Sequence, residues 1–289
     1  MPILSKATTH DLVNLLDMFP AKTMKEHWPE IKGTKEKMCQ QIATEKKSAD
    51  IVDFVGKYFS RCKLHVHIFS HNAEIKECPP PGPAVGERVR EVKDRGSGSA
   101  LYLYWAEYEG VLTEPEYLKV KKRFLWPIRF EFDKKTMRIT MVVMEKNLSA
   151  HFEDRELIGA KKLTEEEDLL ASLMSGLEVT LPPTDIHKGI KQLWQDDLID
   201  CIRVRYKNPF STDSSTMDEE AGIREKNSTL YKTLLKCPLL SAQFKVKTKE
   251  FSDISIFSVE PANGYVGFPR YTADEGDTDN VVREILRLN

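Results

Sequence analysis

Long apolar runs are missing from this chain. Across 289 residues, no window approaches the roughly 18 consecutive apolar residues that a membrane-crossing helix needs, so no membrane partner is expected. Cysteine is scarce and scattered: Cys39, Cys62, Cys78, Cys201 and Cys237 are odd in number and form no C-x-x-C pair, which argues against a disulfide framework or a cysteine-based zinc site. Catalytic signatures are also lacking. The chain has no G-x-S-x-G elbow, no H-E-x-x-H and no Walker or Rossmann glycine pattern. Gly96-Ser97-Gly98 follows no strand and precedes no Gly-Lys-Ser/Thr, so it is not read as a phosphate loop. No catalytic residue, metal site or cofactor is assigned. The first residues mix Lys6, His10 and Asp11 with a short apolar stretch, unlike a secretory leader. The expected compartment is cytoplasmic or nuclear, not secreted.

Strong net charge is absent too, but its distribution is uneven. The formal charge is −2, with 40% apolar and 30% charged residues, within the range of globular proteins. Residues 1–78 hold 12 Lys and Arg against 10 Asp and Glu, and residues 79–146 hold 13 against 10. Residues 147–289 reverse the balance with 18 against 25. A basic front half suits a polyanion, and the acidic rear half suits a protein partner.

The chain opens with a 3.6-residue period. Thr9 is placed to cap a helix over His10–Phe19, Pro20 resets the chain, and Ala21–Trp28 forms a second helix. Gly33 supplies a left-handed residue, Thr34 caps a third helix to about Lys46, and Ser48 caps a fourth bearing Ile51, Val52, Val55, Tyr58 and Phe59. The Gly33–Thr34–Lys35 start gathers backbone N–H groups and lysines around one point, which suits a phosphate. Gly33, Thr34, Lys35, Glu36, Met38 and Ile42 stand in the pattern of a SAP motif, and residues 12–46 resemble that helix–extended loop–helix family. Met38 takes the place of its leucine, and Trp28-Pro29-Glu30-Ile31 that of a Gly-Leu segment. The same helices are fainter in their similarity to the helical N-terminal domain of the centromere-protein N kinetochore family. Both resemblances imply binding to DNA or chromatin.

Beyond Cys62, His65 and His67 alternate with Leu64, Val66 and Ile68, placing both imidazoles on one strand face. Cys62, His71 and Cys78 lie nearby, but the spacing fits no metal signature, and a strand with a wet face explains the same residues. Residues 77–99, with Pro79-Pro80-Pro81-Gly82-Pro83 and Arg95-Gly96-Ser97-Gly98, read as a linker. After Ser99 the period becomes 2. Ala100–Glu109 and Tyr117–Val120 read as strands, and Phe124–Phe132 with Met137–Met144 as a hairpin turning at Asp133–Thr136. Basic residues including Lys119, Lys121, Lys122, Arg123, Arg129, Lys134, Lys135 and Arg138 interleave there with Tyr117, Phe124, Trp126 and Phe130, the composition of a stacking and phosphate platform. Thr164–Glu167 reads as a capping box, Asn208–Gly222 as a mobile polar segment, and Thr229–Leu240 as a helix.

The expected fold is α+β, with a helical domain at 1–76, a linker at 77–99 and an α+β domain at 100–289. The expected function is a non-enzymatic nucleic-acid-binding or chromatin-type adaptor, with duplex DNA as the preferred partner. Its contacts would be Lys32, Gly33, Thr34, Lys35 and Lys37, then Lys121, Lys122, Arg123, Arg129, Lys134, Lys135 and Arg138, and its acidic rear half would meet protein. Two rivals are a metal-dependent nuclease using Glu131, Asp133 and Glu145, and a scaffold binding only protein.

Overall fold

The computed structural model describes residues 2–71, 75, 77–80, 86–94, 97–112, 118–144, 151–152, 155–175, 177, 181–208, 212–216, 222–249, 251–274 and 276–289. Helices come first: α1 (Pro2–Ser5), α2 (Thr9–Asp17), α3 (Ala21–His27), α4 (Lys35–Glu45) and α5 (Ser48–Tyr58), closed by a 3-10 turn at Phe59–Arg61. Next are β1 (Leu64–Ser70), β2 (Gly86–Asp94), β3 (Ser97–Leu112), β4 (Leu118–Phe132), β5 (Thr136–Val142), β6 (His151–Phe152) and β7 (Arg155–Lys162). The chain continues with α6 (Glu166–Ser175), α7 (His187–Gln195), β8 (Ile199–Lys207), β9 (Thr212–Thr216), α8 (Ile223–Lys226) and α9 (Ser228–Leu234). It ends with β10 (Leu239–Val246), β11 (Ile256–Glu260), a 3-10 turn at Pro261–Asn263, β12 (Tyr265–Phe268) and α10 (Asp277–Leu288). The fold is α+β. Among the described residues, no helix is long and apolar enough to cross a membrane.

Two compact units form, one from residues 1–62 and 72–181, the other from 63–71 and 182–289. They cut across the boundaries expected at residues 76 and 99. Much of the expected linker is strand: β2 spans Gly86–Asp94 and pairs with β3. The expected strand at Tyr117–Val120 is the start of β4, and Tyr117 itself lies outside the described residues, as do Pro81–Pro83, Arg95 and Gly96. Thr212–Thr216, within the segment expected to be mobile, pairs with β8. The helix expected through Leu240 stops at Leu234, because Leu239 already belongs to β10.

In the first unit the antiparallel ladder of β3 and β4 aligns Gly98–Leu112 with Leu118–Phe132. One edge of β3 carries β2 over its first half and β7 over its second, while β5 extends β4 on the other side. Directly paired residues share a face. One face carries Tyr102, Tyr104, Tyr108, Phe124, Trp126 and Phe130, all fully buried. The other carries Leu101, Leu103, Leu125 and Arg129 and packs against the helices: Arg129 donates to the Gly56 carbonyl at 3.2 Å, and its guanidinium lies 4.5 Å from the Phe59 ring centre. Phe19, Trp28, Phe54 and Tyr58 fill the helical bundle, with Trp28 stacked on Phe54 at 4.8 Å.

Three expected caps differ. Thr8, not Thr9, caps α2, exchanging bonds with Asp11 in a capping box. Lys47 occupies the cap position of α5, and Ser48 is already helical. Thr164 leaves the helix to accept the Glu107 amide at 2.9 Å, so the Glu165 amide turns to the Asp168 carboxylate.

In the second unit the strand order is β1-β12-β11-β10-β8-β9. Phe244, Phe257 and Phe268 continue one aromatic row across β10, β11 and β12, and Trp194 from α7 meets Phe244 edge-on. Gly189 lets α7 approach α10 so closely that a Cβ there would overlap the Ile285 carbonyl. Gly189→Ala should therefore destabilise the chain by about 1–3 kcal/mol, because the clash is with backbone and not with a movable side chain. Urea unfolding monitored by circular dichroism measures the loss; an unchanged midpoint would contradict the close approach.

Candidate nucleic-acid interface

The start of α4 forms as its sequence implies. Gly33 has φ of +124°, a conformation that L side chains rarely adopt, and it turns the chain from buried Ile31 into the helix. Thr34 is extended, and its hydroxyl accepts the Lys37 amide at 3.4 Å. Met38 and Ile42 are buried beneath this turn, while Lys32, Gly33, Thr34 and Lys37 are exposed.

Lys35 does something else. Its ammonium donates to the Asp17 carbonyl and lies 3.1 Å from the Asp17 carboxylate. It thereby satisfies a carbonyl at the C-terminal end of α2, where a cation also complements the helix dipole.

The basic strand residues divide in the same way. Arg123 donates to the Lys6 carbonyl at 3.1 Å, stacks 4.0 Å from the Trp105 ring centre and lies 3.9 Å from Asp11. Arg129 is held under the helices as described. Arg138 pairs at 3.5 Å with Glu131, its direct partner across the β4–β5 ladder. Lys122 is half-buried near His10, whose pKa burial lowers and the Lys122 charge lowers further, against the opposing pull of Asp11. Lys121, Lys134 and Lys135 are exposed. Among the described residues, the ammonium groups of Lys32, Lys37, Lys121, Lys134 and Lys135 have no ion partner, unlike Lys35, Arg123 and Arg138.

Three of the four aromatics of the expected platform are not available. Phe124, Trp126 and Phe130 are 0% exposed, so no base can stack on them. They belong to the sheet core, where aromatics are favoured. Trp126 donates its indole N–H to the Val142 carbonyl at 2.7 Å, and Lys162 lies over its ring.

The other candidate groups have structural partners. His65 and His67 share a strand face as expected and flank Tyr265. Burial pushes the Cys39 thiol up to about 12, and it pushes Cys62 and Cys201 higher still, so none is a ready nucleophile or metal ligand. Glu131 is engaged by Arg138, and Asp133 closes the hairpin by accepting the amides of Lys135 and Thr136 at 2.9 and 2.8 Å. Glu145, the third carboxylate of the nuclease reading, lies outside the described residues with Lys146. A cleft of about 280 Å³ opens beside this hairpin, lined by Gly98, Ser99, Glu131, Asp133, Thr136 and Arg138, and its charged walls mix both signs.

No protein-family model matches the chain, and no curated protein matches it either.

Two measurements separate the engaged from the unengaged charges. Lys35→Met should cost about 1 kcal/mol in chemical unfolding through loss of the Asp17 contact, whereas Lys37→Met should leave stability nearly unchanged. Equal effects would refute the distinction. For Asp133, burial pushes the carboxyl pKa up, but the amides of Lys135 and Thr136 and the Thr136 hydroxyl outweigh it and leave the group below its usual value. A depressed folded-state pKa stabilises above the unfolded value near ~4, and that stabilisation is lost as pH falls through the folded value. Asp133→Asn should thus cost about 1 kcal/mol or less at neutral pH, given the exposure of the turn. The deficit should shrink steadily on acidification below about pH 4; a gap that stays constant with pH contradicts the assignment.

Proposed function

We propose that the chain is a non-enzymatic adaptor that holds the phosphate backbone of nucleic acid, with duplex DNA as the preferred partner, at the start of α4. The observation that supports this reading is the exposed turn of Lys32, Gly33, Thr34 and Lys37, with two ammonium groups that have no ion partner among the described residues. The first amides of a helix point outward and carry the positive end of its dipole, so an anion there gains both hydrogen bonds and charge attraction. The exposed lysines Lys121, Lys134 and Lys135 would extend a sequence-independent footprint. Lys35, Arg123, Arg129 and Arg138 would shape the surface without contacting phosphate, because their cationic groups already have protein partners. The acidic rear of the sequence would remain open to a protein partner.

The reading has a direct test in binding of the whole chain to labelled duplex DNA across a salt series. Affinity should fall with rising salt, and Lys32→Glu/Lys37→Glu should weaken binding by at least about tenfold at low salt. The same pair should flatten the slope of log K against log salt by about 2, since each neutralised phosphate contributes about 0.9. Lys35 is left out because its loss would confound binding with folding. Absence of binding at low salt would leave the protein-binding scaffold as the better reading.

A further inference from the structure

In the second unit three carboxylates from three separate segments converge. Asp253 lies between β10 and β11, Asp274 lies between β12 and α10, and Asp277 is the first residue of α10. One carboxylate oxygen from each lies within 4.8 Å of the other two. Asp253 and Asp274 are exposed, but Asp277 is only 8% exposed. The backbone amides of Asp253 and Asp274 donate to the Asp277 carboxylate, which fixes its position. Its Oδ2 is nevertheless buried with no hydrogen-bond partner among the described residues.

That orphan oxygen separates this group from an ordinary acidic surface patch. Most buried polar atoms in folded proteins are hydrogen-bonded, and an unsatisfied one marks strain, a functional group or a place for a water or ion; here it stands in a cluster of carboxylates. No Lys or Arg forms an ion pair with any of the three carboxylates among the described residues, although other acids of this unit are neutralised, as Asp197 is by Lys247 and Arg224. The positive end of the α10 dipole amounts to about half an elementary charge, far short of three carboxylates.

We infer that Asp253, Asp274 and Asp277 form a Ca²⁺ site. An all-oxygen, anionic ligand set selects a hard divalent cation over zinc or copper. Coordination habit then chooses between the two common ones. Mg²⁺ demands a near-ideal octahedron, keeps several of its waters and is usually held by one or two carboxylates. Ca²⁺ accepts 6–8 ligands in flexible geometry, with water completing what three carboxylates begin. Bound there, it tethers the β10–β11 connection to the first turn of α10.

The test is calorimetric titration and thermal unfolding of the full chain with CaCl₂ and, separately, MgCl₂ after chelator treatment. The parent should bind one Ca²⁺ and unfold roughly 5–10 °C higher at a hundredfold excess over Kd, with a smaller response to Mg²⁺. Asp277→Asn and the exposed-site variant Asp253→Asn should both lose the rise. In chelator, Asp277→Asn should unfold no earlier than the parent, because removing one of three like charges relieves repulsion; this separates loss of the site from loss of the fold. Any of three results overturns the assignment: no heat and no shift at millimolar Ca²⁺, the same shift in both variants, or a response to Mg²⁺ without one to Ca²⁺.

Discussion

The ladder between β3 and β4 is the constraint on which the first unit depends. Fifteen consecutive pairs join Gly98–Leu112 to Leu118–Phe132, and the middle of that ladder is buried on both faces. An antiparallel pair ordinarily leaves one face in water. Here the helical bundle supplies the second cover, and an arginine under a helix needs partners for its donors. Arg129 finds them in the Gly56 carbonyl and the Phe59 ring; the exposed Arg123 likewise engages the Lys6 carbonyl and the Trp105 ring. Flat, delocalised guanidinium groups suit this work better than lysine ammoniums, since they stack and hydrogen-bond at once.

The second unit rests on a different device. Phe244, Phe257 and Phe268 give its sheet a continuous apolar row, and the buried carboxylate of Asp200 fixes what surrounds it. Its Oδ1 accepts from the Trp194 indole at 2.9 Å, the Cys201 amide at 2.8 Å and the Arg224 amide at 3.1 Å, while its Oδ2 is buried without a hydrogen-bond partner among the described residues. The α7 tryptophan, the β8 backbone and the first turn of α8 thus share one anion. Gly222 is part of the same arrangement, since a Cβ there would overlap the Asp200 carboxylate. Buried charge is tolerated only with such donors around it.

Much of this was legible in the sequence because it is local. The glycine–threonine start of α4 and the β4–β5 hairpin both follow from period and capping within a few residues. What was hidden is what depends on distant partners. Thr164 has the letters of a capping box, yet its hydroxyl serves Glu107, 57 residues away. The alternating residues of β4 announce a sheet, but not that both of its faces are buried, so Trp126 and Phe130 read as exposed when they are core. Asp274, Asp277 and Asp279 form a visible acidic run across the start of α10, whereas Asp253 joins Asp274 and Asp277 only through the fold.

The same subtraction applies to both signs of charge. A basic sequence says how many cations exist, not how many the fold has already used. Lys35, Arg123, Arg129 and Arg138 are positioned by carbonyls, rings and carboxylates of the first unit, which leaves Lys32, Lys37, Lys121, Lys134 and Lys135 as the charge available to a polyanion. In the second unit Asp197 and Glu284 are matched by Lys247 and Arg287, whereas the Asp253–Asp274–Asp277 group is concentrated charge without a protein counter-ion among the described residues. Repulsion within that group costs stability in the absence of a cation, so the fold carries there a local penalty that only an outside positive charge removes. Both proposed sites, the lysine turn and the carboxylate cluster, thus rest on charges that the packing of the chain leaves unmatched among the described residues.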